Sequence, residues 1–130
     1  MSKPEIISLE DIKRLVDVFY GKVRKDALLS PIFEEVIGDH WDTHLNKMYQ
    51  FWQTVLLEEH TYYGSPFLPH IKLPIKKQHF DQWLLLFNET LDTEFTGEVK
   101  EQASWRAQKM AEMFRMKLEY MEENNSKPLI

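Results

Sequence analysis

Apolar residues recur at helical spacing through almost the whole chain, and this periodicity leaves little room for any fold class but all-α. Ile12, Leu15, Val16, Phe19, Tyr20 and Val23 follow at i, i+3, i+4, i+7, i+8 and i+11, which lays one continuous apolar stripe along a helix. A second stripe runs through Trp41, His44, Leu45, Met48, Phe51, Trp52, Val55 and Leu56. A third carries Phe80, Trp83, Leu84, Phe87 and Leu91, and a fourth Val99, Ala103, Met110, Phe114 and Leu118. No segment alternates convincingly with period two, so a sheet is not expected. The start and stop signals agree with four long helices and one short one. Ser8-Leu9-Glu10-Asp11 resembles a capping box with Asp in place of the usual Glu. Ser30-Pro31 opens the short helix with Pro31 at its first position, and Gly38 ends it. Asp39 is expected to cap the next helix, Thr96-Gly97 separates the last two, and the polar tail from Glu122 to Pro128 is expected to fray.

One stretch does not fit a plain helix bundle. Residues 60–74 form a connection that is long for a compact domain. Its second half reads Gly64-Ser65-Pro66-Phe67-Leu68-Pro69-His70-Ile71-Lys72-Leu73-Pro74, so three prolines hold an apolar segment around a single imidazole. Proline fixes its own φ and restricts the residue before it, so this segment loses little further freedom when His70 is held in place. A buried metal centre asks for such a histidine. On the loop alone, a surface histidine in a linker is the simpler reading.

Composition narrows the function classes. The 130 residues suit one domain spanning 1–130, with a core over about 8–118. Aromatics make up 13% of the chain, enough to build a core and to line a pocket. A net charge of −5 argues against nucleic acids and anionic membranes as partners. No apolar run is long enough to span a bilayer, and the N-terminus carries no signal-peptide pattern, so a cytoplasmic location is expected. The absence of cysteine excludes disulfides, thiolate chemistry and Cys-ligated zinc or iron–sulfur centres.

The metal-ligating inventory is therefore five histidines: His40, His44, His60, His70 and His79. His40 and His44 share the i, i+4 spacing that can hold zinc, but the motif lacks the Glu of a hydrolytic site and is weak alone. His60 and His79 lie in polar surroundings and are expected to be exposed. His44 differs, because it sits inside the apolar stripe between Trp41 and Met48. A histidine on an apolar face is most often a half-buried core residue. It becomes suggestive when a second segment offers a lone histidine across an apolar gap, as His70 does.

At this point the chain resembles a known family. Phe19-Tyr20, Val23-Arg24-Lys25-Asp26, Ser30-Pro31-Ile32-Phe33, Trp41-Asp42-Thr43-His44 and Phe51-Trp52 occur in order. Tyr63-Gly64-Ser65-Pro66, Pro69-His70, Leu73-Pro74, the run Phe80-Asp81-Gln82-Trp83-Leu84-Leu85-Leu86-Phe87 and Arg106-Ala107-Gln108 follow. This pattern resembles the truncated haemoglobins, and among them the third group, from about residue 8 to about residue 118. The paired-glycine motifs of other truncated globins are absent, as that group implies. Pro69 stands where a small polar or basic residue is usual, a difference that bears on imidazole orientation.

The resemblance implies a two-on-two helical sandwich around haem b, iron protoporphyrin IX. It implies that His70 is the proximal iron ligand, with the opposite axial position open to a gas. His79 is the competing candidate, and the proline spacing before His70 together with the Leu-Pro after it favours His70. The distal pocket falls on Tyr20, His44 and Trp83; for Tyr20 and Trp83 the simpler alternative is core packing with an incidental polar tip. Phe33, Met48, Trp52 and Leu73 fall on haem contacts, and Lys47 on a partner for a haem propionate. Arg106 matches a recurrent arginine without a role. The function implied is reversible binding of O₂ and related ligands (NO, CO or peroxide) by a five-coordinate iron, in a monomer. The alternative is a haem enzyme for NO dioxygenation or peroxidase-like chemistry, fed by an outside reductase. A metal-free helical interaction module is the remaining class.

Overall fold

The computed structural model describes residues 3–64, 70 and 73–125. Five helices lie within them: α1 (Leu9–Val23), α2 (Ser30–Ile37), α3 (Trp41–Leu57), α4 (Lys77–Glu94) and α5 (Glu98–Asn125). The expected prolines Pro66 and Pro69, and the tail Ser126-Lys127-Pro128, lie outside the described residues.

The helix boundaries follow from local chemistry. Asp11 accepts the backbone N–H groups of Ile7 and Ser8 at 3.0 and 3.1 Å, which satisfies donors at the start of α1. Asp26 accepts from the N–H groups of Leu28 and Leu29 and from the Gln82 amide at 2.6 Å, tying the α1–α2 turn to α4. Three expectations need correction. α2 begins one residue early, so Pro31 is its second residue; the missing N–H is still harmless within the first turn. Asp39 does not cap α3. Gly38 turns the chain with φ 53°, His40 donates its N–H to the Ile37 carbonyl at 2.9 Å, and His40 takes the cap position. The residues from Glu122 to Asn125 are helical rather than frayed, and Lys76 pairs with Glu122 at 3.0 Å.

The packing is two-on-two. α1 packs on α3 and on α4, and α4 packs on α5. α3 and α5 barely meet, so a gap separates them. Phe19 on α1 is the pivot of the core: its ring meets Tyr20, Trp83 and Phe87 edge-on at 4.9, 5.4 and 5.2 Å. Full burial of such a side chain stabilises by about 1.5–3 kcal/mol. Outside the helices, Ile6 and Phe95 are also fully in the core. They are held by Thr96 donating to the Pro4 carbonyl at 3.0 Å and by a lone parallel bridge between Glu5 and Thr96. Gly97 makes this crossing possible. Its φ is +97°, and a Cβ there would run into the Glu5 side chain.

The end of α3 is tied to the loop that leads to His70. Thr54 Oγ1 donates to the Gln50 carbonyl at 2.8 Å and accepts from the backbone N–H groups of Thr61 and Tyr62 at 3.1 and 3.0 Å. Tyr62 then packs edge-on against Phe51 at 5.4 Å. The loop thus leaves α3 in a fixed direction.

Candidate functional site

The gap between α3 and α5 holds the candidate site. On one side, α1 and α3 bring Tyr20 and His44 together, with rings perpendicular at 5.1 Å. Tyr20 is also bounded by Phe33 at 6.0 Å and Trp41 at 5.9 Å. On the other side, His70 packs on Phe114 of α5 at 5.0 Å, and Leu73 donates its N–H to the His70 carbonyl at 3.1 Å. Met48 and Phe33 are half-buried against the core beside His44.

His44 Nε2 is buried and has no hydrogen-bond partner among the described residues. A buried polar nitrogen without a partner is uncommon and marks either strain or the place of an absent group. Burial, with the positive charges of His70 and Lys47 adding, pushes the His44 imidazole down to about 4. His70 is thus near enough for its charge to be felt at His44. The Tyr20 hydroxyl is pushed up by burial, so it stays a neutral O–H donor.

Trp83 and Tyr20 both pack on Phe19, which links them. Its ring stacks on Phe87 at 5.3 Å, and Phe87 stacks on Trp52 at 5.0 Å, so Trp83, Phe87 and Trp52 form one aromatic ladder along α4 and α3. Lys47 is exposed at the rim. His40 and His60 are exposed, while His79 is half-buried rather than exposed. The reason is local: His79 Nδ1 accepts the Lys76 N–H at 2.9 Å and so helps to cap α4. Arg106 is exposed and lies over Trp105 at 5.5 Å.

The donor set fits a porphyrin better than a bare ion. No cluster of three or more His, Asp or Glu side chains suited to a metal occurs among the described residues. A bare zinc ion asks for three or four protein ligands, whereas haem brings four nitrogens of its own and needs one axial imidazole. An imidazole near an unpartnered buried one, as His70 is near His44, suits that need.

Comparison with known proteins gives the family. Residues 5–119 match the bacterial-like globin family. The group 3 truncated haemoglobin of Campylobacter jejuni is 40% identical over 116 residues, covering 86% of this chain and 91% of that protein. The chain belongs to the group III truncated haemoglobins. The crystal structure of the Campylobacter jejuni group III truncated haemoglobin superposes on this truncated haemoglobin with a TM-score of 0.81, at 41% identity, over 89% of this chain and 94% of that one. The group 2 truncated haemoglobin of Bacillus subtilis is 34% identical over 106 residues, 75% of each chain.

Two residues beside the site were visible in the sequence only as core. Phe114 is a member of the fourth stripe, and nothing in its spacing singles it out to back His70. Trp41 lies one helical turn before His44, which does signal a shared face.

The His44 environment sets a pH dependence. Its imidazole titrates near 4 in the folded truncated haemoglobin and near 6.5 when unfolded. Between those values the unfolded chain binds the extra proton, so stability falls as pH drops through the window from 6.5 to 4 and levels off below it. The denaturant midpoint is therefore expected to be lower at pH 5 than at pH 7. His44→Leu should remove this group's share of the difference. An unchanged slope in that variant would rule the assignment out.

Proposed function

We infer that this truncated haemoglobin binds haem b through His70 and takes O₂ and related diatomic ligands on the side of Tyr20, His44 and Trp83. The observation that carries the reading is the buried His44 Nε2, without a hydrogen-bond partner among the described residues and within reach of the His70 charge. Haem, when bound, would supply an iron that takes a diatomic ligand reversibly.

The side chains supply the rest. His70 Nε2 is the axial donor, with Phe114 against its ring limiting rotation. Tyr20 O–H and Trp83 indole N–H donate hydrogen bonds to a ligand that becomes partly negative, and neither is a competing iron ligand at neutral pH. His44 is neutral at physiological pH and so can donate or accept there. Phe33, Met48, Trp52 and Leu73 supply apolar surface that keeps water from the ring. Lys47 is placed to meet a propionate at the rim. As an exposed pair it contributes about 0–1 kcal/mol, so Lys47→Ala should weaken haem affinity by no more than roughly fivefold.

The direct test is a haem titration. The purified chain should take up one equivalent of haem with a Soret band, and the reduced, ligand-free form should give a five-coordinate high-spin spectrum. No Soret band after reconstitution would remove the haem reading altogether. A six-coordinate reduced spectrum would mean that His44 itself closes the second axial position.

The set of distal donors also favours a second reading, chemistry on the ligand: NO dioxygenation or peroxide activation with an external reductase. Nitrate formed in excess over haem, with nitric oxide, O₂ and a reductant supplied together, would favour it. Simple displacement of one gas by the other would favour storage or sensing.

A further inference from the structure

We propose that Trp41 is a positioning residue for the distal site: with Arg24 and Glu34 on its outer side, it holds Tyr20 and His44 in their ligand-facing orientations. This rests on the distal assignment above and adds the element that enforces it.

Trp41 is the first residue of α3, a place where side chains commonly reach solvent, yet only 7% of it is exposed. Its ring is wedged against both distal side chains at once. It meets Tyr20 at 5.9 Å and 65°, and His44 at 5.8 Å and 89°. A third face lies parallel to Phe33, 6.5 Å away. The outer side of the indole is clamped by charge. The Arg24 guanidinium lies 4.5 Å from the ring centroid, a cation–π distance, and its Nε pairs with Glu34 at 3.3 Å. The other oxygen of the same Glu34 carboxylate accepts the Trp41 indole N–H at 3.4 Å. One acid thus holds both the ring and the cation that covers it.

Such a wedge matters because Tyr20 has room to retreat. A cleft of about 300 Å³ opens between α1 and α3, lined by Tyr20, Trp41, Arg24, Leu45, Asp17 and Tyr49, and it reaches Tyr20 from the outside. Gly21 borders it with nothing within 4 Å of where a Cβ would stand. A tyrosine backed by open space keeps one orientation only if a rigid neighbour blocks the others. Phe33 and Trp41, tilted to the Tyr20 ring by 64° and 65°, and the perpendicular His44 do this on three sides.

The test is a pairwise cycle on the haem-loaded protein. Trp41→Leu and Glu34→Ala are each made in the natural chain and in Tyr20→Phe. Two quantities are read: the O₂ dissociation rate and the carbon monoxide stretching bands, which report hydrogen bonding to the ligand directly. In the natural chain Trp41→Leu should raise the dissociation rate about tenfold, the loss of one such hydrogen bond, and should split or broaden the carbon monoxide band. Glu34→Ala should move both in the same direction by a smaller factor. In Tyr20→Phe both effects should shrink to the share that runs through His44, because the Tyr20 hydrogen bond is already gone. A Trp41 that only fills space would give the same factor in both backgrounds, and that result overturns the proposal. So does an unmoved band in Glu34→Ala, which alters only an exposed side chain and decides the matter if Trp41→Leu does not fold. If Tyr20→Phe itself changes nothing, the distal assignment fails first.

Discussion

His70→Gly is expected to cost this globin its axial ligand, with haem affinity falling by at least about a hundredfold, more than the loss of a supporting outer partner. The reduced protein should lose its five-coordinate imidazole spectrum. The effect is large because, on the proposed assignment, His70 is the single bond to the iron, and apolar contact alone holds a haem loosely. The other histidines are poorly placed to substitute. His79 Nδ1 accepts a backbone N–H, which puts its ring proton on Nε2 and occupies the donor lone pair a metal would need. His40 and His60 are exposed. His44 alone faces the gap, so retention of an imidazole spectrum would transfer the role to it. Added imidazole should restore the spectrum in His70→Gly by entering the space left against Phe114. If His70 served only to pack on that ring, the substitution would lower stability and leave the haem spectrum as it was.

Much of this architecture is legible in the sequence because helical periodicity is a local property. The stripes of α1, α3, α4 and α5 name Phe19, Tyr20, Trp52, Phe87 and Phe114 correctly as inward-facing. Ile6 and Phe95 escape because they lie outside helices, and burial there is set by chain crossing rather than by period. Asp39 misleads for a similar reason: its type suits a cap, but the Gly38 turn gives that place to His40. The site is legible in part. His44 stands out as a polar residue in an apolar stripe, and His70 through its prolines. That the two face each other depends on α3 and α5 standing apart, which no local pattern encodes. The placing of Trp83 behind Phe19, and of Phe114 behind His70, likewise belongs to the packing of distant segments.

Tyr20→Phe should raise the O₂ dissociation rate about ten- to a hundredfold, since a hydrogen bond to a charged acceptor contributes about 1.5–3 kcal/mol. The substitution is clean. Burial keeps the phenol protonated, so the residue acts as a donor and not as a phenolate ligand. The ring contacts with Phe19, Phe33, Trp41 and His44 are all available to phenylalanine, so folding should be little affected. Trp83→Phe tests the second donor with the same economy of change, because its parallel stack on Phe87 at 5.3 Å can be kept by a smaller ring while the indole N–H is lost. Its effect should be the smaller of the two, because the stack fixes where the N–H points and Phe19 separates it from Tyr20. If the two donors serve one ligand atom, the double variant should release O₂ more slowly than the product of the single effects requires, because residues that share a partner couple. Full multiplication would place them on different atoms. An unchanged rate in both single variants would return Tyr20 and Trp83 to ordinary core aromatics and leave His44 as the distal residue with polar chemistry to offer.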